Sequence, residues 1–98
     1  MFSQEVFKKL LEVPKGKVTT YGDLARAIGR PEAARAVGTA LNHNPDLKVV
    51  PCHRVVKSNG ELGGFVLGSK IKAQYLAEEE VTIENGKVVD FQSRRFEF

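Results

Sequence analysis

The sequence predicts a mainly α domain with small β hairpins, organised as a winged helix-turn-helix. Three observations predict it. Apolar residues recur at helical spacing in four segments of the 98-residue chain. Gly29 separates the second of these segments from the third, as the turn of a helix-turn-helix requires. Two pairs, Asn59-Gly60 and Asn85-Gly86, mark tight turns in the second half. With 42% hydrophobic residues and no Pro-, Ser- or Gly-rich stretch, residues 1–98 read as one domain with a modest core, and no companion domain on the N-terminal side is expected.

Within residues 3–13, Val6, Phe7, Leu10 and Leu11 share one helical face and Pro14 closes the segment, so the first helix is expected to supply core. Lys15-Gly16-Lys17 is a turn, and either Thr19 or Thr20 can cap a second helix over residues 21–28, which Gly29 breaks. Pro31 suits the first position of a third helix that runs through Leu41 and stops before Asn44-Pro45. Its apolar stripe is Ala33, Val37, Ala40 and Leu41, while Ala34, Arg35, Gly38, Thr39 and Asn42 share the other side. Val55-Val56-Lys57 lead into the Asn59-Gly60 hairpin or wing, and the glycines of residues 62–68 imply a loop that comes close to a ligand or to another segment. Residues 69–79 are expected as a fourth helix with Ile71, Tyr75 and Leu76 on one face, and residues 81–83 and 88–91 as strands flanking the second hairpin turn.

The formal charge of +3 is unevenly spread. Up to Gly60 ten cations face five anions, whereas from Glu61 onward five face seven. A basic first part fits a polyanion-binding face, and equally a merely solvated basic surface. Ala34, Ala36 and Gly38 give the third helix almost nothing with which to read base edges in a major groove, but they let its backbone approach a nucleic-acid backbone. A minor-groove contact independent of sequence fits that face, and so does the close packing of two helices. One cysteine cannot form an internal disulfide, and the charges interleaved through residues 1–11 fit neither a signal peptide nor a membrane span. The expected compartment is reducing, the cytoplasm or, in a eukaryote, the nucleus.

The single cysteine, Cys52, stands directly before a histidine in Pro51-Cys52-His53-Arg54-Val55-Val56. An imidazole beside a thiol favours the thiolate, the strongest nucleophile among side chains, although a lone cysteine is as a rule a small buried apolar group. Adjacent residues of an extended segment point to opposite faces, so a bridging water between Cys52 and His53 is expected unless the backbone turns sharply. His53 then needs a third group to fix its tautomer, and Glu78, Glu79 and Glu80 are the candidates, equally readable as a solvated acidic helix end. Cys52, His43 and His53 fall short of the four ligands that zinc takes, so neither metal nor cofactor is expected, and His43 reads as a surface or capping residue.

In register from about Phe2 to Val81, the chain resembles the O6-alkylguanine-DNA alkyltransferases, also called methylated-DNA-protein cysteine methyltransferases. Residues 13–25 look like that family's approach to its helix-turn-helix, Ala33-Ala34-Arg35-Ala36-Val37-Gly38 like its recognition helix, Asn42-His43-Asn44-Pro45 like its asparagine hinge, and Pro51-Cys52-His53-Arg54-Val55-Val56 like its active-site signature. The resemblance implies an alkyltransferase C-terminal-domain-like fold and a cysteine that accepts the alkyl group of O6-alkylguanine in a single, irreversible transfer. Cys52 would be the nucleophile, His53 the base acting through water, Glu79 the acid orienting it, and Asn44 the tie between recognition helix and site. Tyr21 would promote nucleotide rotation and donate a proton or hydrogen bond to the guanine. The DNA-facing residues implied are Thr20, Tyr21, Ala34, Arg35, Ala36 and Gly38, with Arg35 filling the gap in the stack. Tyr21, Leu41, Cys52, Val55, Phe65 and Val66 would line the pocket, the carbonyls of Cys52 and Val55 and the amide of Val66 meeting the base. The implied partner is double-stranded DNA held through the minor groove with the damaged base flipped out, the implied state a monomer, with no membrane and with a separate repair protein as a further partner.

The chain departs from the family pattern at Phe65, where the glycine-rich loop usually carries a tyrosine, and at Val66, which often is polar. Its length equals that of the alkyltransferase-like proteins, lesion sensors that keep the fold and replace the cysteine. Such a sensor, a winged-helix regulator with an incidental cysteine, and a Cys-His hydrolase are the competing readings. Cys52 speaks against the first, the third helix's lack of base-reading side chains against the second, and the absence of an apparent oxyanion site or separate histidine against the third.

Overall fold

Glu5 in the first turn and Lys8 and Lys9 in the last complement the dipole of helix α1 (Phe2–Leu10), whose buried side is Val6 and Leu10, one turn apart. The structure, a computed structural model, describes residues 2–98. The helix ends at Leu10 rather than Val13, because Pro14 disfavours helical backbone in the residue before it; the chain tightens instead through bonds from Glu12 N to Lys9 O and Val13 N to Leu10 O. After strand β1 (Thr19–Thr20), Thr20 caps helix α2 (Tyr21–Ala27), its hydroxyl accepting from Asp23 N at 2.9 Å. Both threonines lie in β1, and Thr20 is the one that caps α2. Gly29, at φ +78°, closes α2 with paired bonds from Gly29 N to Arg26 O and Arg30 N to Ala25 O.

Helix α3 (Ala34–Asn42) starts three residues later than the sequence predicts. The fixed φ of Pro31 suits the second position of a β-turn as well as a helix start, and the Ala33 N to Arg30 O bond shows that the turn prevails. Val37, Ala40 and Leu41 are buried as predicted, Arg35 and Ala36 are exposed, and His43 caps the C-terminus with its ring Nδ1 2.8 Å from Thr39 O.

Cys52–Arg54 form a single 3-10 turn rather than an extended segment, leading into strand β2 (Val55–Val56). β2 pairs in parallel with β1, Thr19 opposite Val55 and Thr20 opposite Val56, a pairing that local sequence does not signal. Alternate strand residues point to opposite faces, so Val55 enters the core formed with α1, α2 and α3, and Val56 enters a second one with Val18, Leu62, Leu76, Val81 and Val88. The turn at Asn59-Gly60 forms as expected, closed by bonds from Lys57 N to Glu61 O and Gly60 N to Lys57 O. It delivers residues 60–62 to the edge of the second hairpin, with Leu62 N bonded to Gly86 O and Val88 N to Gly60 O. That hairpin joins β3 (Ile83–Glu84) to β4 (Lys87–Val88) through Asn85 and Gly86, both at positive φ.

Helix α4 (Ser69–Glu78) buries Lys72 and Leu76, with Ile71 and Tyr75 only half-buried; the inward face is turned toward a lysine that the expected face of Ile71, Tyr75 and Leu76 does not include. A short helix α5 (Phe91–Arg94) replaces the end of the last predicted strand. Beyond it the tail returns beside β1, with Phe96 N bonded to Val18 O and the Arg95 guanidinium bidentate on Asp23 of α2 at 2.7 and 2.8 Å. No helix of the described residues is long and apolar enough to cross a membrane.

Candidate active site

The 3-10 turn that carries Cys52 sits where the two cores meet, and the asparagine hinge comes up beneath it. Asn44 Oδ1 accepts from Asp46 N at 3.0 Å, an Asx-turn that leaves the Nδ2 side facing inward. Nδ2 donates to Val50 O at 3.0 Å and to Cys52 Sγ at 2.9 Å, and the thiol reaches Leu41 O at 3.8 Å. Burial pushes the Cys52 thiol above its ordinary value, with the Asn44 donor and the Lys72 ammonium pulling the other way without cancelling it.

His53, one residue on, faces a different set of partners. Its Nε2 lies 2.9 Å from Glu79 Oε2, and its ring meets Tyr75 edge-on at 5.5 Å. Of the three candidate acids, the structure brings Glu79 to the imidazole. Arg54 holds that carboxylate from the other side, Nε to Oε1 at 2.9 Å and Nη2 to Oε2 at 2.7 Å, while its Nη1 donates to Val13 O at 2.8 Å. Burial alone would raise Glu79, but the hydrogen bonds from Arg54 and His53 hold it below the ordinary carboxylate value. An ionised carboxylate only accepts, so Nε2 carries the ring proton and Nδ1 keeps the lone pair. Burial in turn keeps His53 below its ordinary value despite Glu79, so the ring is neutral at pH 7 and available as a base.

Around these groups, Tyr21 at the start of α2 points its hydroxyl at Gly64 O, 3.5 Å away, and burial first, the nearby Cys52 second, raises its pKa. Gly38 of α3 packs under the Tyr21 ring, where an added Cβ would sit 3.7 Å from Cε1. Leu41, Cys52 and Val55 share one buried cluster with Tyr21 and Phe65 packed on its margin, whereas the Val66 side chain is exposed. Ala34 and Gly38 are half-buried, and Thr20 is buried with its hydroxyl committed to the α2 cap. The Cys52 carbonyl already accepts from Val55 N, using one of its two lone pairs.

Cys52 is 5% exposed, and three surface cavities of about 470, 570 and 480 Å³ are lined by other residues. The expected pocket residues other than Val66 are therefore gathered, with the cysteine nearly covered. Sequence reasoning also missed two charged groups. Arg54 lies inside the motif itself, but no periodicity marks its clamp on Glu79. Lys72 precedes Leu76 by one helical turn, a spacing that signals a shared face.

A family model described as the 6-O-methylguanine DNA methyltransferase DNA-binding domain matches residues 1–81. The chain is 49% identical over 71 residues to the methylated-DNA-protein-cysteine methyltransferase of Methanosarcina acetivorans, covering 72% of this chain and 46% of that protein. Among solved structures, Mycobacterium tuberculosis OGT in complex with DNA aligns with a TM-score of 0.79 at 47% identity, covering 81% of this chain and 48% of that one. S. pombe Atl1, in complex with damaged DNA containing O6-carboxymethylguanine, aligns with a TM-score of 0.89 at 33% identity, over 99% of this chain and 95% of that one. The chain spans half or less of the length of the first curated relatives it matches. With more than half of its residues inside the family model, the chain belongs to the 6-O-methylguanine DNA methyltransferase family, of which it carries the DNA-binding domain.

Proposed function

We propose that this domain repairs DNA by moving an alkyl group from O6 of guanine to Cys52, once per molecule. The observation that carries the reading is the sulfur held at 2.9 Å by an asparagine donor, next in sequence to an imidazole whose far nitrogen is fixed by Glu79. The Cys52 proton passes through a water to Nδ1 of His53. The thiolate then attacks the alkyl carbon in line, the bond from that carbon to O6 breaks with its electron pair going to guanine, and the Tyr21 hydroxyl stabilises the departing base. A thioether is a poor leaving group, so the product is not recycled. The target carbon is out of reach inside a duplex, so the nucleotide must rotate out of the stack, at a cost of a few kcal/mol. The exposed face of α3, with Ala34, Arg35, Ala36 and Gly38, lets backbone approach backbone in a minor groove, Arg35 occupying the vacated stack.

The likeness to Atl1 over nearly its whole length favours one second reading, a sensor that binds the lesion without reacting. Intact mass decides between them. After incubation with a duplex containing O6-methylguanine, the protein is expected to gain one methyl group, mapped to Cys52 and absent in Cys52→Ala. Tight lesion binding with unchanged mass overturns the transfer reading in favour of the sensor.

A further inference from the structure

Among the described residues, Lys72 is the fully buried charged side chain that the proposed reaction leaves unused. Its ammonium donates to Leu62 O at 2.5 Å and to Gly64 O at 3.0 Å, and it stands 5.9 Å from the centre of the Tyr21 ring. Among those residues no carboxylate pairs with it. A buried cation without a counter-ion is costly, and an apolar side chain of similar length would fill the same space more cheaply. What the ammonium does secure is the backbone of the glycine-rich loop. Gly64 O is also the acceptor of the Tyr21 hydroxyl, and the neighbouring Gly63, at φ +72°, lies so close that an added Cβ would come within 3.3 Å of that hydroxyl. The next residue, Phe65, packs on the cluster that contains Cys52.

We propose that Lys72 is a positioning residue, whose ammonium pins the backbone of residues 62–64 so that the glycine-rich loop and the Tyr21 hydroxyl stand at fixed places around Cys52 while the alkylated base is bound. This rests on the alkyl-transfer reading above. The groups facing the ammonium are Tyr21 from α2 and Cys52 and His53 from the 3-10 turn. Lys57 runs its stem past Gly63, its ammonium lying 3.9 Å from Glu61. Burial lowers Lys72 to about 8, while His53 lies below 6.5, Cys52 above 9.0 and Tyr21 above 10.0, so the interval around 8 belongs to the lysine among these four.

The test compares wild type with Lys72→Met in two reactions of the same sulfur, transfer from an O6-methylguanine duplex and alkylation by iodoacetamide. The Lys72 charge also helps the thiolate, and that share appears in both rates. Misplacement of a positioning group costs up to about a hundredfold, so transfer is expected to fall by at least tenfold more than iodoacetamide alkylation does. Equal losses in the two reactions, or no loss of transfer, overturn the proposal. Wild type itself gives a reading that does not depend on the variant folding. The amide resonances of Gly63, Gly64 and Phe65 are expected to shift with a midpoint near 8 as the ammonium loses its proton, and their failure to move in that interval overturns the proposal equally. Wild type that never transfers the methyl group instead defeats the alkyl-transfer reading, and the amide titration still judges the loop.

Discussion

At Cys52 the protein faces a conflict between burial and reactivity, and Asn44 is the residue that opposes the burial most. Desolvation holds the thiol protonated, and a hydrogen bond to the charged form of a group is worth about 1.5–3 kcal/mol. Removing that donor in Asn44→Ala is expected to lower iodoacetamide reactivity at neutral pH by about ten- to a hundredfold. Asn44→Asp, which presents an acceptor and a like charge, is expected to fall further. Reactivity unchanged in either variant would show that the 2.9 Å contact does not stabilise the thiolate. Cys52 and His53 are readable from sequence because rare residue types stand in one motif. Glu79 is separated there from Glu78 and Glu80 only by the family resemblance and not by residue pattern, since the choice depends on where α4 stops and on Arg54 reaching across from the 3-10 turn. Lys72 escapes the sequence for a different reason: a lysine on an inward helical face ordinarily carries its charge out to solvent, and here loop carbonyls receive it instead.

The elements were largely legible where periodicity and punctuation agree, as in α1, α2 and the Asn85-Gly86 hairpin. They were not where a short segment's partner lies far away: the parallel β1–β2 pair joins residues 36 apart in sequence, and neither two-residue strand carries a local signal of the other. The end of α4 shows an element setting the site. Glu80 N bonds to Ala77 O and Val81 N to Leu76 O, with Glu80 at φ +67°, and this left-handed stop ends the helical backbone directly after Glu79, the residue that reaches His53. A side chain in that conformation is strained by about 1–2 kcal/mol, whereas glycine adopts it freely. Glu80→Gly is therefore expected to stabilise the fold by about 0.5–1 kcal/mol after its extra unfolded-state entropy is counted, read as a higher urea midpoint with unchanged slope. A lower midpoint would mean that the exposed Glu80 side chain contributes more than its backbone costs.

For the whole molecule, the segments that position the site are tied together by two buried or half-buried carboxylates, and this makes stability depend on acid in a definite direction. Glu79 joins the end of α4 to the 3-10 turn through Arg54 and His53, and Asp23 joins α2 to the returning tail through Arg95, assisted by Arg26. The Arg95 hydrogen bonds hold Asp23 below its ordinary value of 3.8, and Glu79 lies below 4.5. A carboxylate lowered in the fold stabilises it above its unfolded pKa, and that contribution vanishes as pH falls through the folded one. His53 adds to the same trend, because a histidine lowered in the fold makes the unfolded state the better proton acceptor as pH drops below 6.5. The tail's share can be isolated at Asp23, which lies outside the reacting groups. Its ion pair is partly exposed and is worth about 1 kcal/mol after solvent screening. Asp23→Asn is expected to lose about that much in urea unfolding at pH 7 and less at a pH below 3.8, where the contribution of the lowered carboxyl falls away. An equal loss at both pH values would mean that Asn disturbs the cap and packing of α2 rather than removing a charge, and the tail would then be held by its other contacts, among them the backbone bonds to Val18.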